Sequence, residues 1–262
     1  ANKIFGEKVT QIDLHNIADC SVLCYLDILK KLRKDKEILK YHKMPEILNQ
    51  ISDFQTKMNF GLHVGWAIEG GIGSRYKVDY SYLSPNVNVS ARLEGAAKHY
   101  GVDILISGFL YELLSYEIQS ICRKIDVVMV KGSIKPIALY TIDVNKGKLT
   151  PSSSRFQQLT HNSRKEEIKN IVLDQGLVAT HYLKKDSFAE LLSTKLTPEF
   201  YEIFEEGLSL YLLGDWKSSR IYLKRCLSLN RDHPTLSLLN YMKSHKYNAP
   251  KDWVGVRELK TK

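Results

Sequence analysis

An α+β fold, with helices laid against one face of a sheet, is predicted for this 262-residue chain, and three observations predict it. Apolar residues recur at three- and four-residue steps over residues 14–32 and again beyond residue 197, which is the period of helices. Between them, residues 58–82 alternate apolar with polar or small residues, which is the period of strands. The composition, 44% hydrophobic and 26% charged, is an ordinary globular mixture and excludes a wholly disordered chain. The length suits one main domain with a helical appendage.

The first element is an amphipathic helix over residues 14–32, with Leu14, Ile17, Ala18, Val22, Tyr25, Leu26, Leu29 and Leu32 on one face and Asp13 available as N-cap. Pro45 suits the first position of a second helix running through Ile47, Leu48, Ile51 and Phe54. Met58 to Ile68 reads as one long strand, Gly70, Gly71 and Gly73 as a turn, and Val78, Tyr80 and Tyr82 as the returning strand. Ser84 and Pro85 cap and open a helix over residues 86–99, and Gly101 closes it. A buried strand over residues 102–107, a short helix over 109–114, and two last strands over 127–130 and 137–144 complete the first region.

Residues 145–166 read as a linker around Pro151 and the serines that follow it. Residues 145–196 then form a linker with helices. From 197 the chain is helical: Thr197-Pro198-Glu199 opens one helix, Gly214-Asp215 breaks it, Trp216 to Leu229 forms the next, and Pro234 opens a third. The stretch from Tyr201 to Pro234 resembles a tetratricopeptide-type helical hairpin, which needs a neighbour to bury its face.

Lys+Arg 38 against Asp+Glu 29 gives a net charge of +9, but residues 58–143 carry 8 basic and 8 acidic side chains, so the excess lies elsewhere. The basic residues form no dense stripe with interleaved aromatics, so no nucleic-acid partner is expected and a solvated lysine-rich face is. No run approaches the roughly 18 apolar residues of a membrane span, and no secretory pattern opens the chain. Cys20, Cys24, Cys122 and Cys226 include no C-x-x-C and are expected to be reduced thiols, which points to an intracellular location. The eight histidines show no zinc-binding spacing.

The chemistry-bearing stretch runs from Phe60 to Gly101. Its motifs G-L-H-V-G-W-A-I-E-G (61–70) and V-N-V-S-A-R-L-E (87–94), followed by I-L-I-S (104–107) and V-K-G-x-x-x-P-I-x-L-Y (130–140), resemble the class III nucleotidyl cyclase domain of adenylyl and guanylyl cyclases. The resemblance covers roughly residues 10–144. It implies a ferredoxin-like cyclase sheet, incomplete at its N-terminal side, as domain 1–144, with the helical hairpin and tail over 197–262 similar to the extension of some protist-type cyclases.

Asn88 and Arg92, four positions apart, project from one face of a helix. Cyclisation of a nucleoside triphosphate needs charge offset as the ribose 3'-oxygen attacks the α-phosphate and pyrophosphate leaves, which an amide and a guanidinium can give. The resemblance implies these as catalytic residues that orient the ribose and stabilise the transition state; the bland alternative is a surface Asn-Arg pair. It also implies that Lys131 contacts the triphosphate, against a solvated turn lysine, and that Ser81 reads the purine. A serine serves either base, so ATP is preferred to GTP only on overall likeness.

The resemblance further implies Mg2+ or Mn2+ held by two aspartates, one on a first strand and one in a G-D hairpin. Neither motif occurs here: Asp27 lies on the polar side of a helix and is rejected as a ligand, and the only G-D is Gly214-Asp215. The ligands are therefore expected outside this segment, which alone is expected to be inactive. The resemblance implies a site shared with a second cyclase domain, in a homo- or heterodimer. The alternative is a non-catalytic cyclase-like assembly module, its tail docked on a large complex, in a parent protein that could be membrane-attached or ciliary.

Overall fold

The computed structural model describes residues 3–4, 7–8, 10–52, 54–131, 133, 135–145, 161–173 and 176–259. In chain order the elements are β1 (Lys3–Ile4), β2 (Glu7–Lys8), α1 (Gln11–Lys34), α2 (Lys36–Tyr41), α3 (Pro45–Leu48), β3 (Phe60–Leu62), β4 (Ile68–Gly73) and β5 (Val78–Leu83). Next come α4 (Pro85–Tyr100), β6 (Ile104–Ser107), α5 (Gly108–Tyr111), α6 (Tyr116–Gln119), β7 (Cys122–Met129) and β8 (Ile137–Ile142). The remainder is α7 (His161–Leu173), α8 (Val178–Leu183), α9 (Asp186–Leu192), α10 (Pro198–Leu213), α11 (Trp216–Leu229), α12 (His233–Ser244) and β9 (Arg257–Glu258). The mixture is α+β, as expected.

The chain forms two compact units. One comprises Ala1–Met58, Leu113–Ile121 and Asp143–Thr194. Its spine is α1, which begins three residues earlier than its apolar pattern. Thr10, not Asp13, is the N-cap; Asp13 occupies the third helical position and completes a reciprocal box, accepting from the Thr10 N–H at 2.9 Å while Thr10 Oγ1 accepts from Asp13 N–H at 3.2 Å. The buried stripe is Ala18, Val22, Leu23, Leu26 and Leu29, whereas Ile17 is exposed. Polar residues also fasten this helix: Asn16 accepts from Val178 N–H and donates to the Gly176 carbonyl, and buried Asp19 accepts from Ser115 N–H at 3.0 Å. The expected helix from Pro45 is only four residues long, and α2 precedes it unforeseen. Most of the expected linker lies outside the described residues, but α7 begins within it at His161.

The other unit comprises Asn59–Glu112, Cys122–Ile142 and Lys195–Lys262. Its five-stranded sheet has the order β3-β6-β8-β7-β9, with β3 parallel to β6, β9 parallel to β7, and the remaining pairs antiparallel. Helix α4 packs on β3 and β6, α10 packs on β7, and α12 packs on α4. One apolar core unites sheet and C-terminal helices: Leu93, Tyr100, Leu105, Val128 and Leu139 share it with Phe204, Trp216 and Leu238.

The expected eleven-residue strand is broken. Only Phe60–Leu62 joins the main sheet, while Ile68–Gly73 pairs with Val78–Leu83 in a separate two-stranded ribbon. The glycines Gly70, Gly71 and Gly73 lie within β4 instead of forming the turn. The turn is Ser74 to Lys77, closed by Ser74 N–H to the Lys77 carbonyl at 2.8 Å. The last strand pair starts five residues earlier than expected, at Cys122. The predicted starts of α10, α11 and α12 hold to within a residue or so, since each has a local cap: Thr197, Asp215 and Asp232.

Candidate functional site

Helix α4 is mounted by local chemistry. Ser84 Oγ accepts from Asn86 N–H at 3.0 Å and donates to the Trp66 carbonyl at 2.6 Å, and Pro85 occupies the first turn, where its missing N–H costs nothing. Gly101 closes the helix with φ of 64°, a left-handed conformation that glycine adopts freely. Ser90 Oγ donates to the Gly61 carbonyl at 2.7 Å, so α4 lies very close to β3. A side chain at Gly61 would run into the backbone of Ser90 and Glu94, which explains the glycine opening the 61–70 motif.

The same motif supplies His63. Asn86 Nδ2 donates to the Trp66 carbonyl at 3.0 Å, leaving its Oδ1 as acceptor, 3.1 Å from His63 Nε2. His63 Nε2–H therefore donates to Asn86 Oδ1, and its Nδ1 lies 2.9 Å from Ser107 Oγ. Ser107 Oγ in turn accepts from Leu110 N–H and so caps α5. This network of His63, Asn86 and Ser107 joins β3, α4 and β6 and was not foreseen. Its only sequence signal is the position of His63 within the motif.

Val89, Leu93, Ala96, Ala97 and Tyr100 form the buried stripe of α4. Asn88 and Arg92 stand beside that stripe on successive turns, Asn88 exposed and Arg92 half-buried. Neither side chain enters a hydrogen bond or ion pair among the described residues. Ser81 is exposed on β5, paired across the ribbon with Gly70 and two residues before the strand runs into the α4 cap. Lys131 is exposed just beyond β7. Thus the helix brings Asn88 and Arg92 together, whereas Ser81 and Lys131 are not bonded to them. A cavity of about 1050 Å³ lies at the other end of α4, between Gly95, Ala96 and His99 and the tail around Trp253.

A catalytic cation would need converging carboxylates. Among the described residues no group of three or more His, Cys, Asp or Glu side chains is arranged to hold one. Asp27 is already engaged by Lys30 at 2.7 Å and Lys31 at 3.1 Å, and Asp215 caps α11 through Ser218 N–H at 3.1 Å. These residues do not fit a metal site. None of the four cysteines is in a disulfide, and burial pushes Cys226 up to about 11, away from thiolate reactivity.

Comparison with known proteins gives the family. Residues 10–144, just over half of the chain, match the adenylate and guanylate cyclase catalytic domain, and the chain belongs to that family. Adenylate cyclase 1 of Rhizobium meliloti (strain 1021) is 32% identical over 91 residues, 35% of this chain and 12% of that protein. Adenylate cyclase of Anabaena cylindrica is 34% identical over 89 residues, 34% of this chain and 18% of that protein. The chain therefore matches less than a fifth of the length of either relative. Among solved structures, the adenylyl cyclase CyaB from P. aeruginosa is 24% identical with a TM-score of 0.29, covering 43% of this chain and 58% of that one. A bacterial light-regulated adenylyl cyclase is 22% identical with a TM-score of 0.37, covering 60% of this chain and 40% of that one.

Proposed function

We propose that this chain is part of a nucleotidyl cyclase that converts ATP, in preference to GTP, to the 3',5'-cyclic nucleotide and pyrophosphate. In this reading Asn88 orients the ribose and Arg92 offsets charge on the α-phosphate as the 3'-oxygen attacks and pyrophosphate leaves. Ser81 contacts the purine and Lys131 the leaving phosphates. The preference for ATP rests on the two adenylate cyclase relatives. The family's cation would add polarisation of the phosphate, with ligands from outside this segment.

The observation that carries the reading is an amide and a guanidinium with no side-chain partner among the described residues, on adjacent turns of α4, directly after a ribbon whose apolar side chains are exposed. Val78, Tyr80, Tyr82 and Leu83 are all more than half exposed, and an isolated two-stranded ribbon is marginal in water. A second cyclase domain against the ribbon would cover it and enclose the Asn88–Arg92 face, which this chain leaves open. The tail helices α10 and α11, a tetratricopeptide-like hairpin of protist type, belong to the same intracellular protein in this reading.

The test is cyclic nucleotide production by the parent protein with ATP or GTP, beside Arg92→Ala and Asn88→Ala. Loss of one such donor is expected to lower kcat by about 100-fold. Equal output from the parent and Arg92→Ala would remove Arg92 from the reaction, and no output from the parent with either nucleotide would favour a non-catalytic assembly module.

A further inference from the structure

The other end of α4 is held by a polar cluster that nothing above requires. Strand β7 carries a bulge: Lys124 pairs with Tyr140 and Asp126 with the next residue along, Leu139, so β7 has one residue in excess. Buried positions step from Arg123 and Ile125 to Asp126 and Val128 across it. The bulge thus turns a carboxylate fully inward, at 0% exposure. Tyr100, the last residue of α4, donates to Asp126 Oδ2 at 2.6 Å, and Val127 N–H donates to Oδ1 at 2.8 Å.

The counter-charge comes from the far end of the chain. Arg257 of β9 places Nη1 3.7 Å from Asp126 Oδ2 and donates Nη1–H to Ser237 Oγ at 3.2 Å. It donates Nη2–H to His99 Nε2 at 3.0 Å, and Ser237 Oγ–H donates to the same nitrogen at 3.0 Å. His99 is therefore neutral with its proton on Nδ1. The guanidinium also lies 4.5 Å from the Tyr241 ring centre. Arg257 so joins β7, α12 and the last turn of α4, and β9 itself is held to β7 by a two-residue pairing and by Leu259 N–H to the Met129 carbonyl.

We infer that Arg257 is a positioning residue: it clamps the C-terminal end of α4, so that strand β9 sets the helix presenting Asn88 and Arg92. The clamp rests on the site reading above only for its effect on catalysis; its mechanical part stands on the contacts. Helix α4 then has two mounts, the Ser84–Asn86–Ser90 bonds at its start and the Arg257 cluster at its end. A rigid 16-residue helix fixed at both ends holds its side chains where catalysis needs them to within fractions of an ångström.

The clamp has a charge signature. Burial pushes the Asp126 carboxyl up to about 6, against the lowering effect of the Tyr100 hydrogen bond and of Arg257. The other charged or titratable groups around it are Lys124 on its own strand, His99 on α4, Tyr211 on α10 and Tyr241 on α12. A raised carboxyl favours the fold below its unfolded value and loses that contribution as pH rises through about 6, so ionised Asp126 needs Arg257 most above that pH. Burial, then Arg257, lowers His99, whose neutral form is the acceptor the clamp uses; that contribution is lost as pH falls below its ordinary value of 6.5. Both signs make Arg257 matter more at pH 7.5 than at pH 5.5.

The experiment compares this chain with Arg257→Met, Arg257→Lys and the double variant Asp126→Asn/Arg257→Met. Amide exchange is read at Gly101 and Val102, whose N–H groups bond the Lys98 and Ala97 carbonyls. Arg257→Met is expected to speed these amides about tenfold at pH 7.5 and less at pH 5.5 after correction for intrinsic rates, with β6 and β8 unchanged. The lysine variant falls between, and the double variant loses the part of the pH dependence that Asp126 supplies, keeping only that of His99. In the parent protein Arg257→Met lowers kcat about tenfold with KM little changed. Unchanged exchange at Gly101 and Val102, a uniform rise across the unit, or a pH-independent defect overturns the clamp. Altered exchange in a parent protein that makes no cyclic nucleotide from ATP or GTP leaves the clamp standing and overturns the cyclase reading.

Discussion

Two antiparallel strand pairs of the same unit, β4–β5 and β7–β8, have similar strand lengths and opposite surroundings. In β7–β8, Ile125, Val128, Ile137, Leu139 and Ile142 are buried, with α10 packed on β7. In β4–β5, eleven of twelve positions are exposed, and Tyr76 at the turn is 98% exposed. Each pair carries one candidate nucleotide contact, Ser81 on the exposed ribbon and Lys131 just past the buried one. Alternating sequence therefore specifies a strand, while what covers it is decided by distant residues. The covered pair is finished within its unit by α10, and the uncovered pair is the surface that the proposed second cyclase domain would take.

The contrast is broken most severely at Arg123. From β7 it forks onto Asp232 at 2.9 and 3.2 Å and stacks its guanidinium 4.5 Å from the Phe204 ring, tying α12 and α10 to the sheet. Arg123→Met leaves Asp232 buried without its partner and is expected to destabilise the fold by about 3–5 kcal/mol, measured by chemical denaturation. Burial raises the Asp232 carboxyl, but Arg123 and the bonds from Thr235 outweigh burial and hold it below its ordinary 3.8. That contribution is present above about pH 4 and lost as pH falls further, so the variant shows a flatter acid limb than the parent. A smaller loss follows from Leu139→Ala at the centre of β8: about 2–4 kcal/mol through lost burial and the cavity left behind. An equal loss from a truncation on β4–β5 would contradict the contrast.

What could be read from the sequence follows the same division. Helix α4 was legible almost to the residue because Ser84, Pro85 and Gly101 act on their own backbone neighbours. The Asn88–Arg92 pair was legible because helical spacing alone aligns it. The break after Leu62 was not. The Trp66 carbonyl accepts from Ser84 Oγ and Asn86 Nδ2, 18 and 20 residues away, and so is taken by the cap of α4 rather than by a strand ladder. The Asp126–Arg257 contact was hidden for the same reason, being made across 131 residues by way of a bulge that shifts the burial alternation. Local chemistry is written in neighbouring letters; tertiary hydrogen bonds between distant polar residues leave no period to read.

The smallest effect on stability tests the uncovered pair most directly. Tyr80 lies opposite Gly71, shares its face with Val78 and Tyr82, and is 74% exposed. Tyr80→Ser removes little buried area from the chain, so its folding stability should stay within about 0.5 kcal/mol of the parent. Aromatic side chains dominate the energy of protein interfaces, so the same substitution should weaken self-association, or association with a second cyclase domain, about tenfold or more in sedimentation. Cyclic nucleotide output should fall with the dimer and return at high protein concentration, because the candidate residues Asn88 and Arg92 on α4 are untouched. Association and output both unchanged would mean that the ribbon does not form the shared face. An activity loss that concentration cannot restore would place Tyr80 in nucleotide binding rather than in assembly.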